Sequence, residues 1–241
     1  MKIVATRTIM VIVRVVVRTI EKLLNIRISR FPLEKFYGEF IDLANFELIS
    51  QARGILHIGA HLGLESEAYS LYGKPVIFIE ADPSTFQNLQ KNIINKVNQT
   101  AHNLLLGDEE KSITFFRASN GSQSSSVFSF SGANKFKNVN TVDELELTMH
   151  RLDSKFSAEE LHEYDHWVID VQGAELLVLM GAGTLIDQCR TMFIECSTVE
   201  FYAGGAQWSQ ILDFLQGHGF KYLIAPKNIR HLNVIFFRSV A

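Results

Sequence analysis

The chain has 241 residues, 47% hydrophobic and 20% charged, enough for a single globular domain with a sizeable core. Its formal charge of −3 gives no electrostatic reason to expect a polyanionic partner, so nucleic acid is disfavoured as a ligand. Cys189 and Cys196 are the only cysteines; with no Cys-x-x-Cys and no disulfide framework, they fit packed thiols in the reducing cytoplasm.

Residues 1–30 differ from the rest. Apolar runs at 9–13 and 15–17 are interrupted by Arg7, Arg14 and Arg18, whose spacings of seven and four put them on one helical face. A membrane span needs about 20 predominantly apolar residues, and Arg14 falls mid-run, so no span is expected. The unbroken apolar stretch and cleavage site of a secretory signal are also missing. Two readings remain for this extension. It is an amphipathic helix or β-branched strand that packs on the domain or a second subunit, or an interfacial helix in peripheral contact with the inner membrane surface. The β-branched residues, poor in an isolated helix, weigh toward the first. Nothing in the sequence sets an oligomeric state.

The remainder, 31–241, reads as one α/β domain. From residue 54 short apolar runs alternate with helical patterns, the signal of a mostly parallel sheet with crossover helices. Strands are predicted at 55–58, 76–80, 102–106, 166–171, 191–196, 220–224 and 233–237, and helices near 40–51, 64–72, 84–96, 174–187 and 207–217. Asp82-Pro83-Ser84 reads as a helix start with Ser84 as cap, and Gly217 with Gly219 as a helix stop. An insertion, about 107–153, breaks the alternation: 113–116 and 145–152 read as extra strands, and 119–131 as a Ser/Gly-rich loop serving as a substrate lid or a solvated connection.

Two constellations carry chemistry. Gly59-Ala60-His61-Leu62-Gly63 follows an apolar strand, and a second strand ends on Glu80, 21 residues after Gly59. Glycines let a backbone approach a ligand at the head of a helix, and such an acid can take both hydroxyls of a ribose. No Walker lysine follows the turn and a third glycine is missing, so neither a triphosphate nor a pyrophosphate is favoured. A cofactor with a ribose but no phosphate, such as the cationic S-adenosylmethionine, suits these acid-rich surroundings. The second constellation is Asp170-Val171-Gln172-Gly173-Ala174-Glu175, with Asp170 where an apolar strand ends. Its plain alternative is that Asp170 caps the next helix and Glu175 is a first-turn charge favoured by the macrodipole. Glu195 closes the following strand in the same way, so Glu80, Asp170 and Glu195 are expected at one sheet edge.

With Arg151-Leu152-Asp153-Ser154 and Tyr202-Ala203-Gly204-Gly205-Ala206 added in order, the set resembles the FkbM-type methyltransferases over residues 54 to about 220. The resemblance implies a Rossmann-like class I fold, S-adenosylmethionine as donor, and as acceptor a hydroxyl of a sugar, glycan or related metabolite. Many members of the broader superfamily carry an acid two residues before the first glycine; here His57 stands there, able to accept from the donor's amine only as a neutral imidazole.

On this reading His57, Gly59, Ala60, Gly63, Glu80, Ala81, Asp108 and Asp170 are expected to bind the cofactor, with Asp108 reaching the adenine amine. Methyl transfer is an in-line displacement, so positioning supplies much of the rate, roughly 7–11 kcal/mol. Asp170 is the first candidate for the base that receives the acceptor's proton and His61 the second, while Glu175 would orient the acceptor. Ser124, Ser125 and Ser126, Phe128, Phe130 and Phe136, and Tyr202 with Gly204 and Gly205 are candidates to shape the acceptor site. Carboxylates suit magnesium, but the spacing demands no divalent ion and no residue is assigned to one. The alternatives are a nicotinamide-dependent oxidoreductase, opposed by the sparse glycines, and a non-catalytic Rossmann-like scaffold docked through its N-terminus.

Overall fold

Strands β1 (Ile55–Ile58), β2 (Val76–Glu80) and β7 (His166–Ile169) are buried along their whole length, as the near-continuous apolar runs of a sheet covered on both faces must be. The structure is a computed structural model that describes residues 33–131, 138–223 and 230–238, with side chains from residue 41 onward. The expectations for residues 1–30 and for Phe136 lie outside the described residues. The chain divides into two units, 1–40 and 41–241; of the first, only helical backbone at 33–40 is described.

The central sheet adds β3 (Gln99–Asn103), β8 (Thr191–Ser197), β9 (Phe220–Tyr222) and β10 (His231–Arg238), in the order β3-β2-β1-β7-β8-β10-β9. β1 runs parallel to β2 and β7, β2 to β3 and β7 to β8, while β10 is antiparallel to both β8 and β9. The order reverses between β1 and β7, and such a switch point opens a crevice at the carboxyl ends of the strands. The helices are α1 (Leu33–Gln51), α2 (Ser66–Leu71), α3 (Pro83–Ile93), α4 (Leu152–Lys155), α5 (Ala158–Leu161), α6 (Glu175–Gly181) and α7 (Trp208–Gly217). Ile49, Ile55, Tyr69, Val76, Phe78 and Leu89 form one core between sheet and helices. Among the described residues, no helix is long and apolar enough to cross a membrane.

Three expectations are corrected. The cap of α3 is Asp82, not Ser84: its carboxylate accepts the amides of Ser84 and Thr85, and Pro83, with its fixed φ, opens the helix. The third strand is the polar 99–103 rather than 102–106, because an edge strand need not be apolar. The apolar Leu105–Leu106 instead forms β4 in a second, three-stranded sheet. There it pairs with β6 (Thr141–His150), which is antiparallel to β5 (Lys111–Ala118). Helix 174–187 stops at Gly181 and continues as a 3₁₀ segment, Gly183–Gln188. The insertion is therefore a β-wing, whose Phe115, Val127 and Met149 pack with Leu105 and Ala174 into a second core.

Candidate active site

The turn after β1 is shaped first by packing. Gly59 has φ +81°, and a Cβ there would stand 1.8 Å from the Asp170 carbonyl oxygen; at Gly63, φ +65°, it would stand 2.4 Å from Leu89 Cδ1. Both glycines are thus required by neighbouring protein atoms. The amides of Gly59 and Ala60 both donate to the Ile79 carbonyl, and His61, itself at φ +49°, donates its amide to Glu80 Oε2 at 2.8 Å. The other oxygen, Oε1, accepts the Asp82 amide at 2.8 Å. Glu80 is therefore a fixed carboxylate whose remaining lone pairs are open to a ligand. Burial pushes its pKa up, against the pull of those amides.

Asp82 lies behind it. Its carboxylate receives Arg117 Nε at 2.8 Å and Nη2 at 3.0 Å, and Ser122 Oγ at 2.9 Å. Burial alone would raise its pKa, but Arg117, Ser84 and Ser122 outweigh it and hold the group at about 2. Arg117 on β5 and Ser122 in the following loop thereby pin the wing to the head of α3. His61 Nε2 meets the Gly121 carbonyl at 2.7 Å, which ties the same loop to the glycine turn.

At the ends of β7 and β8 the carboxyls of Asp170, Glu175 and Glu195 come within 4.8 Å of one another. Gln172, held at φ +55°, donates its Nε2 to Asp170 Oδ1 and to Glu195 Oε2, each at 2.6 Å. The Tyr202 hydroxyl donates to Gln172 Oε1 at 2.6 Å, and His231 Nε2 contacts Glu195 Oε1. Burial, then the facing Glu195 carboxyl, push Asp170 well above the usual carboxylate range. Glu175 turns back on its own loop, accepting the amides of Val171 at 3.2 Å and Gly173 at 3.0 Å. Burial raises it to about 7 despite those donors. Protein donors reach Asp170 Oδ1 and the oxygens of Glu175 and Glu195, and no residue is assigned to a metal.

Two hollows flank this cluster. The larger, a cleft of about 560 Å³ open to solvent, runs from Gly59, His61, Glu80 and Ala81 past Leu104, Leu105, Leu106 and Phe115 to Ser125, Asp170 and Gln172. The smaller, about 290 Å³, is lined by Glu175, Glu195, Ser197, Phe201, Tyr202 and His231 among others. No lysine or arginine lines either one among the described residues. The cleft thus fits S-adenosylmethionine: an acid at one end for the ribose, apolar walls for the base and, among the described residues, no lysine or arginine to oppose the sulfonium or attract a phosphate.

Of the expected cofactor residues, Gly59, Glu80, Ala81 and Asp170 line the cleft, and so does His61. His57, Ala60, Gly63 and Asp108 do not line it. His57 lies in the core on the other face of β1, its Nδ1 3.1 Å from the Tyr69 hydroxyl and its ring against Phe78, with burial lowering its pKa. Ala60 is buried, Gly63 faces Leu89, and Asp108 is outside the cleft wall, its Oδ1 buried without a partner and its carbonyl taken by Arg151. Glu175, expected to orient the acceptor, lines the smaller hollow, and its oxygens hold the 171–173 turn. Asp170 does not cap α6, whose cap is Ala174 with no side-chain bond. Ser125 lines the cleft, Ser126 Oγ donates to the Gln172 carbonyl, and Phe128 packs on the second core. Phe130 stacks near Tyr202, and Gly205 lines the smaller hollow while Gly204 does not. Sequence reasoning missed Gln172, His231 and Arg117 as site residues. Gln172 lay inside the quoted motif and its type was the available signal; the other two join through sheet register and the wing, which no local pattern carries.

The strand order with its antiparallel β10, and an acid-lined cleft at the switch point, define a class I methyltransferase. Solved structures are similar to this chain at low identity. The magnesium protoporphyrin IX methyltransferase of Synechocystis PCC 6803 with bound S-adenosylhomocysteine is 10% identical, with a TM-score of 0.46 over 83% of this chain and 82% of that one. An rRNA methylase from Streptococcus thermophilus is 9% identical, with a TM-score of 0.45 over 81% and 94%. A TehB-like S-adenosylmethionine-dependent methyltransferase from Corynebacterium glutamicum is 13% identical, with a TM-score of 0.40 over 77% and 80%. No curated protein sequence matches this chain. The methyltransferase FkbM domain matches residues 57–222, and the chain belongs to that family. It is an S-adenosylmethionine-dependent methyltransferase.

Proposed function

We propose that this methyltransferase acts on a hydroxyl of a sugar, glycan or related metabolite, with the donor in the larger cleft and the acceptor entering the smaller hollow. The single observation that carries the acceptor class is the lining of that hollow, where Glu195, Ser197, Tyr202 and His231 meet with no lysine or arginine among the described residues. Such a surface offers acceptors and donors to neutral hydroxyls and repels phosphate. When bound, S-adenosylmethionine supplies an electrophilic methyl on a good leaving group. The protein's part is positional: Glu80 holds the ribose, residues 59–61 border the donor's amino-acid end, and the Asp170–Gln172–Glu195 wall fixes where the acceptor oxygen stops.

The test is transfer of radiolabelled methyl from S-adenosylmethionine to a panel of methyl glycosides and oligosaccharides, with tRNA and rRNA transcripts alongside. Label on a glycoside supports the reading, and label on RNA alone contradicts it. For residues 1–30 the proposal is an amphipathic extension of the 31–241 domain. Equal flotation of full-length and truncated protein with anionic liposomes would dismiss a membrane role for it.

A further inference from the structure

We propose that Glu195, rather than Asp170, takes the proton from the acceptor hydroxyl, while Asp170 keeps the one proton that the two carboxyls share. The inference rests on the donor and acceptor assignment above, and the geometry of the wall between the two hollows carries it.

The Asp170 and Glu195 carboxyls have oxygens within 4.8 Å of each other and share one amide donor, and two negative charges so placed favour one proton between them. Donors decide which side holds it. Glu195 Oε1 contacts His231 Nε2, and its Oε2 receives Gln172 Nε2 at 2.6 Å. Among the described residues, Asp170 receives only its share of that same amide, at 2.6 Å on Oδ1. The amide presents its nitrogen to the acids, because an amide oxygen 2.6 Å from an oxygen of each would need a proton from both. His231 is oriented in turn by Ser197 Oγ, 3.2 Å from its Nδ1. Glu175, the third acid, is tied to the amides of residues 171 and 173 and donates nothing to the pair. The anion is therefore better solvated on Glu195. Burial and the facing acid, which raise Asp170, act in the same direction.

Placement makes this useful. Asp170 opens on the donor cleft, whereas Glu195 and His231 line the hollow beside it. As the acceptor oxygen bonds to the methyl carbon, the carbon–sulfur bond breaks with its electron pair left on sulfur, and the hydroxyl proton passes to the Glu195 carboxylate. A neutral Asp170 adds no second negative charge against the developing alkoxide. His231 is a positioning residue that holds Glu195 in its ionised form.

The test is infrared spectroscopy of the full-length protein saturated with S-adenosylhomocysteine at neutral pH, with and without ¹³C-carboxyl aspartate. A carbonyl band of a protonated acid that shifts with the aspartate label, and is lost in Asp170→Asn, is expected. Absence of any aspartate-sensitive acid band overturns the proposal. In His231→Phe the aspartate-sensitive band should weaken as the proton moves to Glu195; an unchanged band removes the role given to His231. Calorimetry on the same samples separates the two levels. No binding of S-adenosylhomocysteine defeats the donor assignment itself, whereas binding without the aspartate band defeats this inference alone.

Discussion

Asp82 and Asp170 are both acids at the carboxyl edge of one sheet, yet their surroundings drive them to opposite charge states. Asp82 meets a guanidinium, two hydroxyls and helix amides, and stays ionised down to about pH 2. Asp170 meets another acid and half of one amide, and burial pushes it toward its neutral form. Strand-end placement brings an acid to the crevice, and the donors around it decide its proton. The Asp82 edge is accordingly a rigid clasp that ties the wing to the head of α3, and the Asp170 edge holds an acid driven toward its neutral form.

The largest expected effect comes from the atom that joins the two edges. Gly59→Ala would press a Cβ to 1.8 Å from the Asp170 carbonyl oxygen at a positive φ. A loss of about 3 kcal/mol or more in denaturant unfolding is expected. Gly73→Ala, also at positive φ but with nothing within 4 Å, serves as the control and should cost only about 1–2 kcal/mol.

Next comes Glu175, which is raised from an ordinary carboxyl to about 7. Its folded pKa lies above the unfolded one, so its stabilising contribution is full below about pH 4.5 and is lost as pH rises toward 7. Glu175→Gln retains an acceptor for the Val171 and Gly173 amides. It should flatten that slope, worth up to about 3 kcal/mol, in urea titrations across the same window. An unchanged slope would mean that the buried acids do not titrate as their surroundings imply.

Asp82 works with the opposite sign. Its folded pKa is depressed from 3.8 to about 2, so its contribution is present above pH 3.8 and disappears as pH falls toward 2. Asp82→Asn should cost about 2 kcal/mol at neutral pH, and the difference from wild type should close in acid. A gap that persists at pH 2 would assign the loss to packing rather than to the Arg117 pair.

Much of the fold was legible because burial on both faces leaves a plain sequence signal. β1 and β2 fall where their apolar runs predict, and each is followed by turn chemistry that can be read residue by residue. β3 was displaced because Leu104, Leu105 and Leu106 imitate a core strand, whereas the true edge strand pairs through its backbone with only half-buried side chains. The site was legible only in part. Glu80, Asp170 and Glu195 are marked by their strand ends, but His57 sits in a strand whose alternation carries it to the helix-packed face, against Tyr69. His231 enters through antiparallel register, where it lies opposite Ser197 and near Glu195, 36 residues earlier in the chain. Arg117 enters through a wing whose docking no local pattern encodes.

Titration calorimetry with S-adenosylhomocysteine tests the donor cleft most directly. Wild type should bind one equivalent, and Glu80→Ala should weaken binding at least about tenfold, as loss of hydrogen bonds to a charged carboxylate requires. Glu195→Gln, altered on the far side of the wall, should change it much less. No binding by wild type, or equal affinity in Glu80→Ala, would contradict the assignment of the cleft.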